Sequence, residues 1–171
     1  MSQRLLQPQR LTAAAFAPFG DVVEAGPQVR QFAINEGNTT RYHDLMHIEM
    51  ADGGRPIVSV FRGQPRVLPF CIAMLERHPL GSQAFMPLHG RPYLVVVAPP
   101  GPVPDEQALQ LFVARGDQGV NYARGVWHHP LLALQAVSDF LVIDYAGPGA
   151  NCDEVTLAQP WWIAADCGGG G

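Results

Sequence analysis

Two adjacent histidines, His128 and His129, stand in the part of the chain that is richest in reactive side chains. The same stretch, residues 119–132, also contributes an amide from Asn121 and a phenol from Tyr122. An imidazole can exchange a proton near neutral pH, and it can also bind a metal ion. Neighbouring side chains of an extended chain point to opposite faces, so we expect one histidine to face the chemistry and the other to pack or face solvent.

Two further polar clusters interrupt otherwise apolar sequence. In residues 76–87, His78 and Gln83 flank a proline-containing turn and predict either the wall of a ligand site or a tight turn with surface charges. Nearer the N-terminus, Arg41 shares a face with the histidine two residues later, which indicates a carboxylate-binding site or a loop held by an arginine–aspartate ion pair. Spacing alone does not decide whether these side chains converge on one ligand.

The charge balance narrows the possible functions. The chain has 171 residues, a net charge of −4 and 11 basic residues, all of them arginine. Without lysine, no Schiff base can form with a carbonyl substrate, whereas arginine can still bind a carboxylate through two hydrogen bonds. An acidic chain without a basic segment is not expected to bind nucleic acid or an anionic membrane. These features favour a small molecule as the partner.

The cysteines indicate the redox compartment. Cys71, Cys152 and Cys167 are odd in number and widely spaced, and no CxxC pair is present, which argues against a zinc ribbon or a dithiol redox site. No apolar run reaches the length of a membrane span, and the N-terminus lacks the apolar core of a secretory signal. We therefore predict a cytoplasmic protein with reduced thiols.

Short β-strands dominate the predicted secondary structure. Apolar, β-branched runs cover residues 57–61, 70–75, 93–98 and 140–143. Eighteen glycines and 16 prolines separate such runs, a pattern typical of a β-sandwich or β-barrel. Thr12 predicts the start of a short helix over residues 13–17, and a second helix is predicted to begin at Pro104 and to reach about Leu111.

These patterns predict one all-β domain. Residues 1–165 are expected to form a single catalytic domain with one or two short helices. Residues 166–171 end in a run of glycines and are predicted to form a flexible tail.

Several segments together resemble the ureidoglycolate lyase family, formerly called ureidoglycolate hydrolases, in the cupin superfamily. They are residues 41–45, 76–85, 118–122, 126–131, 139–144 and 151–153. The Glu-Arg-His-Pro and Trp-His-His-Pro segments are the most specific of them, and the similarity runs over nearly the whole chain. One departure is Tyr145, which stands where the family often has an arginine, so another arginine would have to supply that cation here.

The resemblance implies a cupin-like β-barrel, or double-stranded β-helix, that assembles as a homodimer. It implies a carbon–nitrogen lyase that cleaves (S)-ureidoglycolate to glyoxylate and urea in allantoin degradation. It also implies a divalent metal, usually nickel, and no organic cofactor. Metal-binding cupins carry an HxH pair and a later Gly-x-x-His, and only the second is present here, from Gly125 to His128. We therefore predict His128 as the candidate metal ligand and no three-histidine site.

The implied reaction needs a cation for the substrate carboxylate, a base for the hydroxyl proton and an acid for the departing urea nitrogen. We assign the cation to Arg41 or Arg77. His128, or less favourably His129, is the predicted base or metal ligand, with His78 as its partner. The predicted site is completed by the side chains of Tyr122, Gln83 and Asn121, of which the first two would orient the urea group.

Two other functions fit the same residues. One is an amidohydrolase that breaks down the urea group of ureidoglycolate and releases ammonia. The other is a cupin that binds a small acid without catalysis. Urea release distinguishes the lyase from the first alternative, and consumption of ureidoglycolate distinguishes it from the second.

Overall fold

The computed structural model describes residues 3–167, which form fifteen β-strands, one α-helix and two short 3-10 helices. The strands are β1 (Arg4–Leu5), β2 (Pro8–Arg10), β3 (Gly20–Val23), β4 (Gln31–Ile34), β5 (Thr39–Tyr42), β6 (Arg55–Gly63), β7 (Phe70–Arg77), β8 (Gln83–Pro87), β9 (Gly90–Ala98), β10 (Gln110–Gly116), β11 (Gly119–Tyr122), β12 (Trp127–His128), β13 (Leu132–Ala133), β14 (Ser138–Ala146) and β15 (Asp153–Ile163). Each of the four predicted apolar runs lies within a strand, in β6, β7, β9 and β14. The predicted all-β fold class is therefore confirmed.

The strands form two large sheets and a separate hairpin. Sheet A has eight strands in the order β1-β15-β7-β12-β9-β10-β2, with β13 also paired to β9. Sheet B has five strands in the order β3-β11-β8-β14-β6, and β4 pairs with β5 in the hairpin. Buried side chains from both large sheets form one apolar cluster, so sheets A and B face each other across a shared core as in a cupin-like barrel.

Strand β9 explains how the sequence builds a second core layer. Its Tyr93, Val95 and Val97 belong to the cluster between the two sheets, whereas the residues that alternate with them pack in a second cluster on the other face of sheet A. A strand that is buried on both faces has no polar face to display. This is why residues 93–98 form a continuous apolar run in the sequence.

The two predicted helices have different outcomes. The first is confirmed as α1 (Ala13–Phe16), where the hydroxyl of Thr12 accepts a hydrogen bond from the Ala15 amide at 3.2 Å. The second prediction is wrong beyond its first turn, because only Glu106–Ala108 is helical, as a 3-10 helix. The following residues, from Gln110 onward, pair with β9 instead, so sheet formation overrides the local helix signal. None of the described helices is long and apolar enough to cross a membrane.

The C-terminal end of the described chain packs on sheet A. Cys167, which the sequence analysis assigned to the tail, is buried in the second apolar cluster, and its amide donates to the Ala164 carbonyl at 3.2 Å. The remaining residues of the predicted tail, 168–171, lie outside the described residues.

The aromatic centre of the shared core gives a direct test of the fold. Phe112 is fully buried, and its ring makes edge contacts with Phe16 and Phe19 at centroid distances of 5.5 and 6.1 Å. We expect Phe112→Ala to lower the free energy of unfolding by about 3–5 kcal/mol, because the buried cluster around the ring can fill the resulting cavity only in part. Urea unfolding measures this, with Val103→Ala at a 69% exposed position as the control. A loss below about 1 kcal/mol would contradict this packing.

Candidate active site

Sheet A contributes an acid–imidazole pair to the interior of the barrel. Glu76 of β7 lies directly opposite His128 of β12, and the carboxylate Oε1 is 3.4 Å from Nε2 of the ring. Arg77, which follows Glu76, and Trp127, which precedes His128, point to the opposite face of the sheet, where the Arg77 guanidinium lies 4.7 Å from the centroid of the Trp127 ring. Strand alternation therefore selects Glu76 and His128 for the interior.

The ring of His128 is held in one orientation and one tautomer. Its Nδ1 lies 3.1 Å from the Val126 carbonyl oxygen, which can only accept, so Nδ1 carries the hydrogen in this arrangement. The Tyr122 ring stacks on the imidazole at 4.1 Å with an interplanar angle of 10°. The remaining atom, Nε2, is buried without a protein hydrogen-bond partner. A lone pair therefore points at the Glu76 carboxylate, and a proton or a metal ion placed between them would satisfy both groups.

A second imidazole completes the cluster. His78 follows β7, and its ring centroid is 5.1 Å from that of His128. Its Nδ1 lies 2.6 Å from the Asn151 carbonyl oxygen, and its Nε2 lies 3.0 Å from the amide oxygen of Gln83. Because Asn151 also accepts a hydrogen bond from the Leu80 amide through its side chain, it fixes both this histidine and the turn after it.

Burial sets the protonation of the interior groups. Burial lowers the pKa of His128, so the ring is neutral near neutral pH and keeps its free lone pair. Burial alone would raise the pKa of Glu76, but the interaction with His128 and the other imidazoles, when these are protonated, outweighs it, and the pKa is lowered. Burial, helped by the Glu76 charge, raises the pKa of Tyr122, so the phenol stays protonated. The cluster thus combines a carboxylate, a neutral acceptor and a protonated donor.

The donor atoms fit a divalent metal ion. Ligand atoms of Glu76, His78 and His128 all lie within 4.8 Å of one another. Imidazole nitrogen with carboxylate oxygen is a donor set that suits nickel, zinc and iron, and the unpartnered Nε2 of His128 is a ligand atom without another role. Glu76 also approaches a second, exposed set of donors formed with Cys152 and Glu154.

A cavity of about 460 Å³ adjoins this cluster and meets it at Glu76 and Gln83. The cavity is lined by residues of β7 and β8, by the end of β6 and the segment after it, and by the two residues that follow the histidine pair. They are Phe61, Arg62, Gly63, Arg66, Glu76, Gln83, Phe85, Pro130 and Leu131. This volume lies in the range of sites for small organic molecules. The interior groups can therefore act on a bound small molecule.

Four of the predicted site residues meet in this cluster. They are His78, Gln83, Tyr122 and His128, each buried or half-buried and facing the space between the sheets. Tyr122 and Gln83 are directly paired across β11 and β8, which places their side chains on the same face. The expectation that one histidine of the adjacent pair faces the interior agrees with this arrangement.

The other four predicted residues are not brought to the cluster. His129 packs edge-on against Phe70 at 5.5 Å, and its Nδ1 lies 2.8 Å from the Pro130 carbonyl oxygen. Asn121 faces away from Tyr122 and donates to Asp21 at 3.0 Å. The remaining two are arginines: Arg41 is exposed on the hairpin, and Arg77 pairs with Asp153 at 2.9 Å.

Two carboxylates at the interior were not assigned a role from the sequence. Glu76 was part of a recognised segment, but nothing local indicated that it faces His128. Asp144 follows Phe140 and Val142 at every second position of β14, on the face that these core residues occupy, and one of its carboxylate oxygens is buried without a partner. That alternation is a sequence signal which could have identified Asp144 as an inward-facing acid.

Two β-sheets around one core, with a histidine–carboxylate cluster open to a small cavity, define a cupin-like small-molecule site. The sequence model of the ureidoglycolate lyase family matches residues 3–164, and the chain belongs to this family. A ureidoglycolate lyase of Burkholderia mallei is 57% identical over 164 residues, which cover 95% of each chain. One from Agrobacterium fabrum is 56% identical, with 93% of this chain and 95% of the relative covered, and one from Pseudomonas syringae is 49% identical, with 97% and 96% covered.

Proposed function

We propose that this protein is a carbon–nitrogen lyase that cleaves ureidoglycolate to glyoxylate and urea. Family membership over nearly the full length supports this substrate. The observation that carries the chemistry is the free Nε2 of His128, buried and 3.4 Å from the Glu76 carboxylate. This pair can accept a proton beside a cavity that fits a small molecule and that Glu76 lines.

The reaction is an elimination that moves one proton. Ureidoglycolate carries a hydroxyl and a ureido nitrogen on the same carbon. When the hydroxyl loses its proton, the carbon–oxygen double bond of glyoxylate forms, the carbon–nitrogen bond breaks, and the nitrogen takes up a proton and leaves as urea. No covalent intermediate with the protein is needed, which agrees with the absence of lysine from the chain.

The residues of the cluster divide this work. Nε2 of His128, neutral because of burial, accepts the hydroxyl proton, and the Glu76 carboxylate stabilises the imidazolium that forms. The phenol of Tyr122 stays protonated and donates a hydrogen bond toward the leaving nitrogen, which takes its proton from the imidazolium of His128. Gln83 and His78, which lie 3.0 Å apart, bind and orient the urea group. Each proton transfer contributes roughly 10²–10⁴-fold to the rate.

We further propose that a divalent ion, nickel by family resemblance, is held by Glu76, His78 and His128 when it is present, and that Nε2 of His128 then acts as a ligand in place of the proton acceptor. It would polarise the substrate oxygen as a Lewis acid. Their mutual approach within 4.8 Å supports this ligand set.

The products distinguish the proposed reaction from its alternatives. Purified protein supplied with each enantiomer of ureidoglycolate should release equal amounts of urea and glyoxylate from the (S) form. Ammonia in place of urea would identify an amidohydrolase. Binding of glyoxylate without consumption of either enantiomer would identify a non-catalytic acid-binding cupin. A cytoplasmic location stays a prediction, supported by three free cysteines in the described chain.

We also propose a homodimer that covers the outer face of sheet B. Strand β6 is an edge strand of this sheet, and Val58 and Val60 on its outer face are 64% and 57% exposed. A long apolar edge strand is a liability unless another chain or element covers it. A second copy is the partner that family resemblance favours.

Mass measurement tests the dimer. Light scattering should give twice the 18.5 kDa of one chain, and Val60→Asp should give the monomer because a buried charge opposes association. The matched control is Val103→Asp, at a 69% exposed position in a loop, which should leave the dimer intact. A dimer that survives Val60→Asp would exclude this face.

A further inference from the structure

One arginine of the cavity has no acid partner. Two arginines line the cavity that contains Glu76 and Gln83: Arg62 and Arg66. Arg62 is already neutralised by Asp139, which accepts two hydrogen bonds from it at 2.7 and 2.8 Å. Within residues 3–167, no carboxylate lies within ion-pair distance of Arg66. Its guanidinium lies 5.2 Å from the Phe70 ring, which leaves the hydrogen-bonding edge of the group available.

We propose that Arg66 binds the carboxylate of the substrate. This inference rests on the proposed function, since it assigns one end of ureidoglycolate to a residue outside the histidine–carboxylate cluster. Arg66 lies on the segment between β6 and β7, where its backbone amide donates to the Ala133 carbonyl at 2.9 Å. That contact anchors the residue at the mouth of the cavity. A guanidinium can bind a carboxylate through two parallel hydrogen bonds.

The charges of the cavity fix the direction of the substrate. The Glu76 carboxylate lines the cavity at its inner end, where it repels a substrate carboxylate. Arg66 attracts the same group toward the mouth. The hydroxyl and ureido groups are then directed inward, toward Gln83 and the Glu76 carboxylate that contacts His128. Attraction at one end and repulsion at the other thus select a single orientation.

The two arginines predicted from the sequence do not line this cavity. Arg77 is on the other face of sheet A and is paired with Asp153. Arg41 is on β5 of the separate hairpin.

Product inhibition tests the assignment. Glyoxylate carries the carboxylate and urea does not, so we expect Arg66→Gln to weaken inhibition by glyoxylate about 10- to 100-fold while inhibition by urea changes less than about twofold. The KM for ureidoglycolate should rise by a factor similar to that of the inhibition constant for glyoxylate, and kcat should fall by a smaller factor. Arg66→Lys should recover part of the loss because it restores the charge without the bidentate geometry. Arg10→Gln, which removes a positive charge outside this cavity, is the matched control.

The outcomes separate this inference from the proposed function. If the wild-type protein is active and Arg66→Gln keeps its KM and glyoxylate inhibition, or weakens glyoxylate and urea equally, Arg66 is not the carboxylate-binding residue. If the wild-type protein releases neither product, the proposed function fails. Calorimetric titration of glyoxylate into wild-type and Arg66→Gln protein then tests Arg66 directly. Equal affinity of the two proteins for glyoxylate, or no binding of glyoxylate to the wild-type protein, overturns the assignment.

Discussion

Replacing His128 with glutamine should lower kcat/KM for ureidoglycolate by about 10²–10⁴-fold, whereas the same replacement at His129 should cost less than about tenfold. Only His128 presents a buried, unpartnered ring nitrogen to the Glu76 carboxylate. The ring nitrogen Nδ1 of His129 already meets the Pro130 carbonyl, and the ring packs on Phe70. Steady-state rates of glyoxylate release from both variants measure the difference.

The comparison controls for stability, because both side chains are more than 90% buried. Each glutamine keeps a polar amide of similar length, so both variants lose comparable packing. Denaturant unfolding of the two proteins shows whether either loss of rate reflects unfolding. A folded His129→Gln protein that is more impaired than a folded His128→Gln protein would remove His128 from the proposed role.

Local patterns in the sequence predict most of the fold because strand formation has a short-range signature. The continuous apolar run at residues 93–98 already contains the information that β9 is buried on both faces. The exception is the helix expected after Pro104. Its proline and acidic residues are real helix-start signals, but the apolar side chains that follow gain more by pairing with β9.

The site is less predictable because it depends on register between distant strands. Alternation indicates that only one of His128 and His129 faces inward, but it does not say what that histidine meets. The pairing of β12 between β7 and β9 brings Glu76 opposite His128, and no local pattern encodes this. The same pairing sends Arg77 to the other face, which residue type alone could not indicate.

Replacing Glu76 with glutamine should abolish tight binding of Ni²⁺ and lower turnover by at least about 100-fold. Removing a residue that only hydrogen-bonds to a metal ligand typically lowers metal affinity or activity by about 10–100-fold. The loss of an anionic ligand itself should therefore have a larger effect. The change also removes the negative charge that stabilises a protonated His128. Calorimetric titration with NiCl₂ and metal analysis of the purified protein measure the first effect, and urea release measures the second.

The matched control is Glu154→Gln, which removes the same charge from the residue directly paired with Glu76 on β15. Glu154 is exposed and belongs to the alternative donor set with Cys152, not to the set with the two histidines. If the metal is bound inside the barrel, Glu154→Gln keeps its nickel and its turnover while Glu76→Gln loses both. If both variants lose nickel but His128→Gln retains it, the ion is bound at the surface, and His128 then acts on the substrate as a base without being a ligand.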